Sequence, residues 1–300
     1  MKATSRSSSI EILETRIVPS TLDIVGGVLK YTASSGSFNS IAIFVESVNG
    51  GTDNQLLFRD RENITLGSGA QGIFSYAFGG QSDVRGALFT FNSFELDLGD
   101  QNDSLFIDRL TKPLTADTGA GTDSARISNS NNSTPLVVNG ALSIKAETIR
   151  VDKAVNSATN VSFTTDNLDI GQFASINATQ TISIVASTAG REFSLGTENA
   201  GRVSLTAAEV SKLSAPFIKL GDASSGQILN DAAMNFGTAV VLLKTGQGVT
   251  QSGAGAITAV KLAVDSVQTA SLTGQNNVGD FAGRVTNNGS TLSFTNTGAL

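Results

Sequence analysis

From about Thr21 onward, apolar and polar residues alternate over short runs separated by Gly, Asn, Asp or Ser. TLDIV (21–25), VLKYT (28–32), IAIFV (41–45), LLF (56–58) and LFTF (88–91) show the pattern in the first half. LSIKA (142–146), VSF (161–163), ISIV (182–185), VSLT (203–206) and VVLL (240–243) carry it through the second. A period of two puts successive side chains on opposite faces, so each run predicts a half-buried strand. Only TAAEVSKLSA (206–215) and NDAAMNF (230–236) are spaced for a helical turn or two. The expected class is all-β.

Two longer periods organise these strands. LDIG, FSLG, IKLG and LKTG end in Gly171, Gly196, Gly221 and Gly246, each 25 residues after the last. A fixed period in this range predicts a solenoid, whose stacked turns share one apolar core that no single turn could bury. Glycine at the corners tolerates a left-handed backbone. Earlier, Asp97-Leu98-Gly99-Asp100-Gln101-Asn102-Asp103-Ser104 and Asp117-Thr118-Gly119-Ala120-Gly121-Thr122-Asp123-Ser124 both read D-x-G-x-x-x-D-S, 20 residues apart. That offset predicts one turn stacked on the next with aspartates in register, each able to bond a backbone N–H two residues on. Turns of ~24 residues stacked at ~4.8 Å would give about a dozen rungs and a rod roughly 55 Å long. A sandwich needs no equal spacing of corners, and the Leu/Asn signature of leucine-rich repeats is missing. TLSFTNTGAL (291–300) ends in strand-like sequence, which predicts an open final rung able to stack on another chain.

Composition narrows the chemistry. Charged residues are 15 %, against ~25 % in ordinary globular proteins. Net charge is −6 and the basic residues are scattered, which argues against nucleic acid as a partner. No run approaches the ~18 apolar residues of a membrane-spanning helix. The chain has no Cys, His or Trp, which removes disulfides, thiolate zinc sites, cysteine nucleophiles and Ser-His-Asp triads. The first 20 residues carry Lys2 and Arg6 but no apolar core of signal-peptide length, and predict a polar, mobile leader.

Several motifs are candidate sites. The acidic turns (Asp97, Asp100, Asp103, Asp117, Asp123) resemble degenerate calcium-binding nonapeptides. Residues 98–106 keep Gly99, Asp103 and Leu105, and residues 118–126 keep Gly119, Gly121 and Asp123. Turn-capping aspartates explain them with fewer assumptions. An EF-hand fails, because Leu105 and Thr111 occupy its Gly and Glu positions. Asp166, Asp169 and Asp222 are candidate carboxylates for a polysaccharide-active enzyme. Tyr31 and Tyr76 are the only Tyr beside 16 Phe, a poor supply of sugar-binding platforms. Phe44, Phe58, Phe89, Phe91 and Phe94 are expected to stack inside the core. GSGAQG (67–72) lacks the Lys-Ser/Thr of a phosphate loop and reads as a turn. Asn63, Asn160 and Asn177 match the short glycosylation pattern, which arises readily by chance. No catalytic, cofactor-binding or metal-ligating residue is assigned, and no cofactor.

VSLTAAEVSKLSAPFIKLGDASSGQI (203–228), with VSFTTDNLDIG and GVTQSGAGAITAVKLAV, resembles the repeats of filamentous-haemagglutinin-type surface proteins over roughly residues 136–300. The resemblance implies a right-handed parallel β-helix and an adhesive or fibre-forming role; the family's N-terminal secretion domain has no counterpart. IEILETRIVPS (10–20) is similar to the LE-x-R-x-VP leader of large exported bacterial proteins, through Glu14, Arg16, Val18 and Pro19. That implies an extracellular or cell-surface location. The expected organisation is a leader (1–20), an irregular first section of β-helix with the acidic turns (21–135) and regular repeats (136–300). The expected function is a non-enzymatic, adhesin-like structural protein, or a fragment of a longer filament, meeting a cell-envelope, glycan or protein ligand along a lateral face. The alternatives are a β-helical polysaccharide-active enzyme or a calcium-stabilised repeat protein.

Overall fold

A computed structural model describes residues 19–48, 53–77, 80–129 and 134–298. The leader before Pro19 and the Phe89 side chain lie outside what it describes. Within the described residues the chain is almost entirely β, with thirty strands and one four-residue helix. No described helix is long and apolar enough to cross a membrane.

The chain opens on antiparallel pairs. β1 (Ser20–Val25) and β2 (Val28–Thr32) form a hairpin whose two-residue turn is Gly26-Gly27. Both glycines have positive φ, +60° and +78°, the turn geometry that matches the twist of the flanking strands. β3 (Ser40–Val48), β4 (Asp53–Arg59), β6 (Phe74–Tyr76) and β7 (Asp83–Ala87) build a meander in the order β3–β4–β7–β6.

From β8 (Ser93–Asp97) onward the pairing is parallel. β8 lies on β2 and is followed by β10 (Leu114–Asp117), β13 (Leu142–Lys145), β16 (Asn160–Thr164) and β19 (Thr181–Val185). The stack continues through β23 (Phe217–Leu220), β26 (Val240–Thr245), β28 (Ala256–Ser266) and β29 (Ala270–Val285). Register aligns Leu29, Phe94, Leu114, Leu142, Val161, Ile182, Ile218, Val241, Leu262 and Phe281 in one inward column. All are buried except Phe281, which is half-buried at the far edge and stacks flat on Phe294, 3.8 Å between ring centres. Each fully buried aliphatic residue contributes roughly 1.5–3 kcal/mol relative to exposure. The alternation read in the sequence is therefore a core stripe that strands far apart in sequence complete together.

Further sheets flank this stack. The second carries β9 (Ser104–Ile107), β11 (Ser124–Ile127), β14 (Thr148–Val151) and β17 (Asn167–Ile170), parallel on β3. The third holds β12 (Leu136–Val138), β15 (Val155–Ser157), β18 (Ile176–Ala178) and β22 (Leu213–Ser214). Beyond residue 190, β20 (Phe193–Gly196), β21 (Val203–Thr206), β24 (Ile228–Asn230), β27 (Val249–Gln251), the start of β29 and β30 (Leu292–Asn296) form another parallel set.

Four sequence expectations need correction. The 25-residue glycine period is not the stacking register. Ile218 lies beside Val241, 23 residues on, while Val161 follows Leu142 after 19 and Ile218 follows Ile182 after 36. Gly171, Gly196 and Gly221 end strands in three different parallel sets, and only Gly196 and Gly221 have a left-handed φ. The shared four-residue texture marks any strand that meets a corner, and the connecting lengths vary freely. LFTF is not a strand, because Leu88–Thr90 form a 3-10 turn. NDAAMNF is not helical: its Ala233–Asn235 is the strand β25, paired with β28, so the sheet overrides local helix propensity. Phe44 is only half-buried and meets the equally half-buried Phe106, 5.8 Å between ring centres, whereas Phe58, Phe91 and Phe94 are buried as expected. The helical turn expected within 206–215 is present as α1 (Ala207–Val210), closed by a Thr206/Glu209 capping box.

Candidate functional site

The acidic turns form one corner of the molecule. Register sets Ser40, Ser104, Ser124, Thr148 and Asn167 side by side, so the residues before them stack as well: Asn39, Asp103, Asp123, Glu147 and Asp166. Asp103 Oδ1 accepts the Asn39 backbone N–H at 2.6 Å, and Asp123 Oδ1 accepts that of Asp103 at 2.7 Å. Glu147 Oε2 accepts the Asp123 N–H at 3.0 Å. Each carboxylate thus satisfies the corner amide of the level before it, an amide the strand ladder cannot reach. Asp123 Oδ2 accepts the Thr118 hydroxyl at 3.1 Å. At the base, the Tyr31 hydroxyl donates to Asp60 Oδ2 at 2.5 Å, with Asn39 Oδ1 3.1 Å from the same oxygen.

Burial governs the electrostatics of this spine. Asp103 is 2 % exposed, and its carboxyl is pushed up to about 6. Burial is the main cause, opposed by the Asn39 N–H and reinforced by the charge of Asp123. Burial also raises Glu147, with Asp123 adding to it. Tyr31 is driven far above the ordinary phenol range by burial and then by the Asp60 charge.

The 20-residue repeat is visible in the same geometry. Asp97 and Asp117 are register partners, and each accepts the N–H two residues on, from Gly99 at 3.1 Å and Gly119 at 2.9 Å. Asp117 also pairs with Lys145 at 3.1 Å, and Asp100 accepts the Gly36 N–H at 2.8 Å. Calcium would need carboxylate oxygens converging on a gap. Here most of those oxygens receive N–H or O–H donors, Asp103 Oδ2 being buried without a partner. Among the described residues no group of three or more Asp, Glu, His or Cys could hold a metal ion.

The candidate catalytic carboxylates are dispersed. Asp166 accepts the Ser187 and Thr188 N–H groups at 3.1 and 2.9 Å. Asp222 Oδ1 accepts those of Ser224 and Ser225 at 2.8 and 3.0 Å; burial raises its pKa, and the serine bonds more than reverse this. Asp169 lies within β17 rather than in a turn and pairs with Arg150 at 2.8 Å. GSGAQG is a turn held by Asp23 Oδ1, which accepts the Gly69 N–H at 2.7 Å. A cavity of about 650 Å³ beside β22 is lined by Val210, Leu213, Pro216 and Phe236 among others, with no acidic or basic side chain in its wall.

Three features escaped the sequence reading. Glu147 belongs to the spine but follows neither D-x-G-x-x-x-D-S copy; its place directly before a second-sheet strand was the available signal. Lys153 is fully buried, donates to the Asp108 carbonyl oxygen, and has its pKa lowered by burial. A second polar spine, of amides, runs along another corner. Gln251 Nε2 donates to Asn276 Oδ1 at 2.8 Å, and Asn276 Nδ2 donates to the Thr295 carbonyl at 2.9 Å. Asn276 and Asn296 then accept the Ile257 and Val278 N–H groups at 2.9 and 3.0 Å. Both spines do the same work, closing backbone amides where strands turn. No protein-family model matches the chain, and no curated protein or solved structure matches it either.

Proposed function

We propose that the chain is a right-handed parallel β-helix serving as an exported, non-enzymatic structural or adhesin-like surface protein. The observation that carries this reading is the continuous inward column from Leu29 to Phe281, shared by ten strands in parallel register. Parallel strands of one sheet joined through strands of other sheets require a crossover at every step, and such crossovers are right-handed in ~98 % of cases. Between the first two strands of this column, residues 40–87 form the antiparallel meander.

The outer surface supports a structural role. Its charges are largely matched across neighbouring strands: Lys30–Glu95, Lys145–Asp117, Lys261–Asp280, and Asp265 between Lys244 and Arg284. Carboxylates used to cap turns or to pair with basic residues suit a scaffold better than an acid–base pair does. The extracellular location rests on the leader resemblance at Glu14, Arg16, Val18 and Pro19. The test is retention of the purified full chain on cell-envelope preparations, matrix proteins and immobilised glycans. Retention on at least one class is expected, and retention on none would sink the adhesin reading.

A further inference from the structure

We infer that the corner preceding β20, β24, β27, β29 and β30 is a binding trough for an uncharged polysaccharide lying along the stacking direction. Register aligns Phe193, Ile228, Val249, Ala270 and Leu292. The residues before them, Glu192, Gln227, Gly248, Thr269 and Thr291, therefore stack in one column, beside a second that includes Gln247 and Gln268. A cavity of about 320 Å³ opens along these columns, with Gln227, Gln247, Gln268 and Thr269 in its wall. Gly226 and Gly248 are required by the backbone: a Cβ on either would sit 2.2 Å from the Gly190 carbonyl oxygen or 2.5 Å from that of Thr269. Both glycines also stand in the wall of the trough.

The amides supply the recognition chemistry. Gln268 Nε2 donates to Gln247 Oε1 at 2.6 Å, and Gln227 Nε2 donates to Thr250 Oγ1 at 2.8 Å. Among the described residues this leaves the Gln247 NH2 group and the Gln268 and Gln227 carbonyl oxygens without a protein partner, while Gln247, Gln268 and Thr269 are exposed. A ladder of amides serving only to stiffen the corner would explain the Gln247–Gln268 bond but not the open cavity above it. Each carboxamide offers both donor and acceptor, which is what adjacent sugar hydroxyls require. The levels repeat at ~4.8 Å, comparable to the span of one pyranose residue, so a linear glycan meets one carboxamide at each of three successive levels, Gln227, Gln247 and Gln268. Charge selects the class. The one ionised group in the wall, Glu192, is paired with Arg202 at 2.7 Å, and the whole chain carries −6, so a polyuronate is repelled.

The inference rests on reading the lateral surface as the ligand-facing one. The test is affinity electrophoresis of the full chain in native gels containing linear β-glucan, mannan, pectate or alginate. Wild-type protein is expected to be retarded by a neutral polysaccharide and not by pectate or alginate. Gln247→Ala/Gln268→Ala should weaken that retardation about tenfold with an unchanged melting temperature. Ser143→Ala/Ser162→Ala, on another face, should leave it intact. Retardation only by the polyuronates, or equal retardation of wild type and the glutamine variant, would overturn the trough. So would no retardation by any neutral polymer; continued retention on cell-envelope or matrix material would then leave the surface-protein reading standing.

Discussion

The most informative residue is Asp103, because its environment asks for two opposite things. Its Oδ1 is needed as the acceptor for the Asn39 amide, yet burial beside Asp123 disfavours its charge. Its folded pKa of about 6 lies above the ~4 of an unfolded chain, so the folded state holds a proton that the unfolded state has released between these values. The stability this confers is fully present below pH ~4 and is lost as pH rises through about 6. Asp103→Asn keeps an acceptor oxygen and removes the charge. It should flatten the pH dependence of stability between those values, as read by urea titration across pH. Gly119 offers a sharper test. It has φ +91°, and a Cβ there would sit 1.6 Å from the Gly99 carbonyl oxygen, so one level cannot stack on the next around a side chain. Gly119→Ala should cost at least ~2 kcal/mol, measured by the same titration.

At the scale of elements, strands here are three to six residues long for the most part, too short to hold any structure alone. Their stability comes from the neighbours above and below. Phe163 sits on β16 with Ile144 before it and Ile184 after it in register, and is fully buried. Phe163→Ala should destabilise the chain by ~3–5 kcal/mol, because adjoining levels fixed by their own hydrogen bonds cannot collapse into the void. A loss below ~1 kcal/mol in chemical denaturation would contradict this packing. Element type was legible wherever alternation was long, as in VLKYT, ISIV and VVLL. It failed at LFTF and NDAAMNF, where a few residues carry too little pattern and the adjacent chain decides the conformation.

Across the whole molecule, the first and last described strands of the parallel stack have different neighbours. The first levels are covered by the β1–β2 hairpin and the β3–β4–β7–β6 meander. At the other end β30 has only β29 beside it among the described strands, and Phe281, Val285 and Phe294 are partly buried. Strands paired on one side only open first, so amides of residues 280–296 should exchange with solvent well before those of β13 and β16. Equal protection along the stack, by hydrogen exchange and mass spectrometry, would refute this. Neither calcium nor a chelator should shift the melting temperature, since the corner carboxylates are engaged with backbone amides; a rise of several degrees with calcium would reopen the metal reading.

The amino-acid pattern by itself determined the class of structure and one true register. Alternation names strands because side-chain direction is a local property. The D-x-G-x-x-x-D-S pair revealed its 20-residue step because two adjacent levels share the same corner chemistry. The 25-residue glycine spacing, equally regular on paper, corresponds to no stacking. Only the folded chain decides which strand lies on which, since connections of 19 to 36 residues all reach the next level. The same holds for the spine. Asn39, Asp103, Asp123 and Glu147 come together because strands far apart in sequence lie in register, and hydrogen bonds between levels exist only once that register is made.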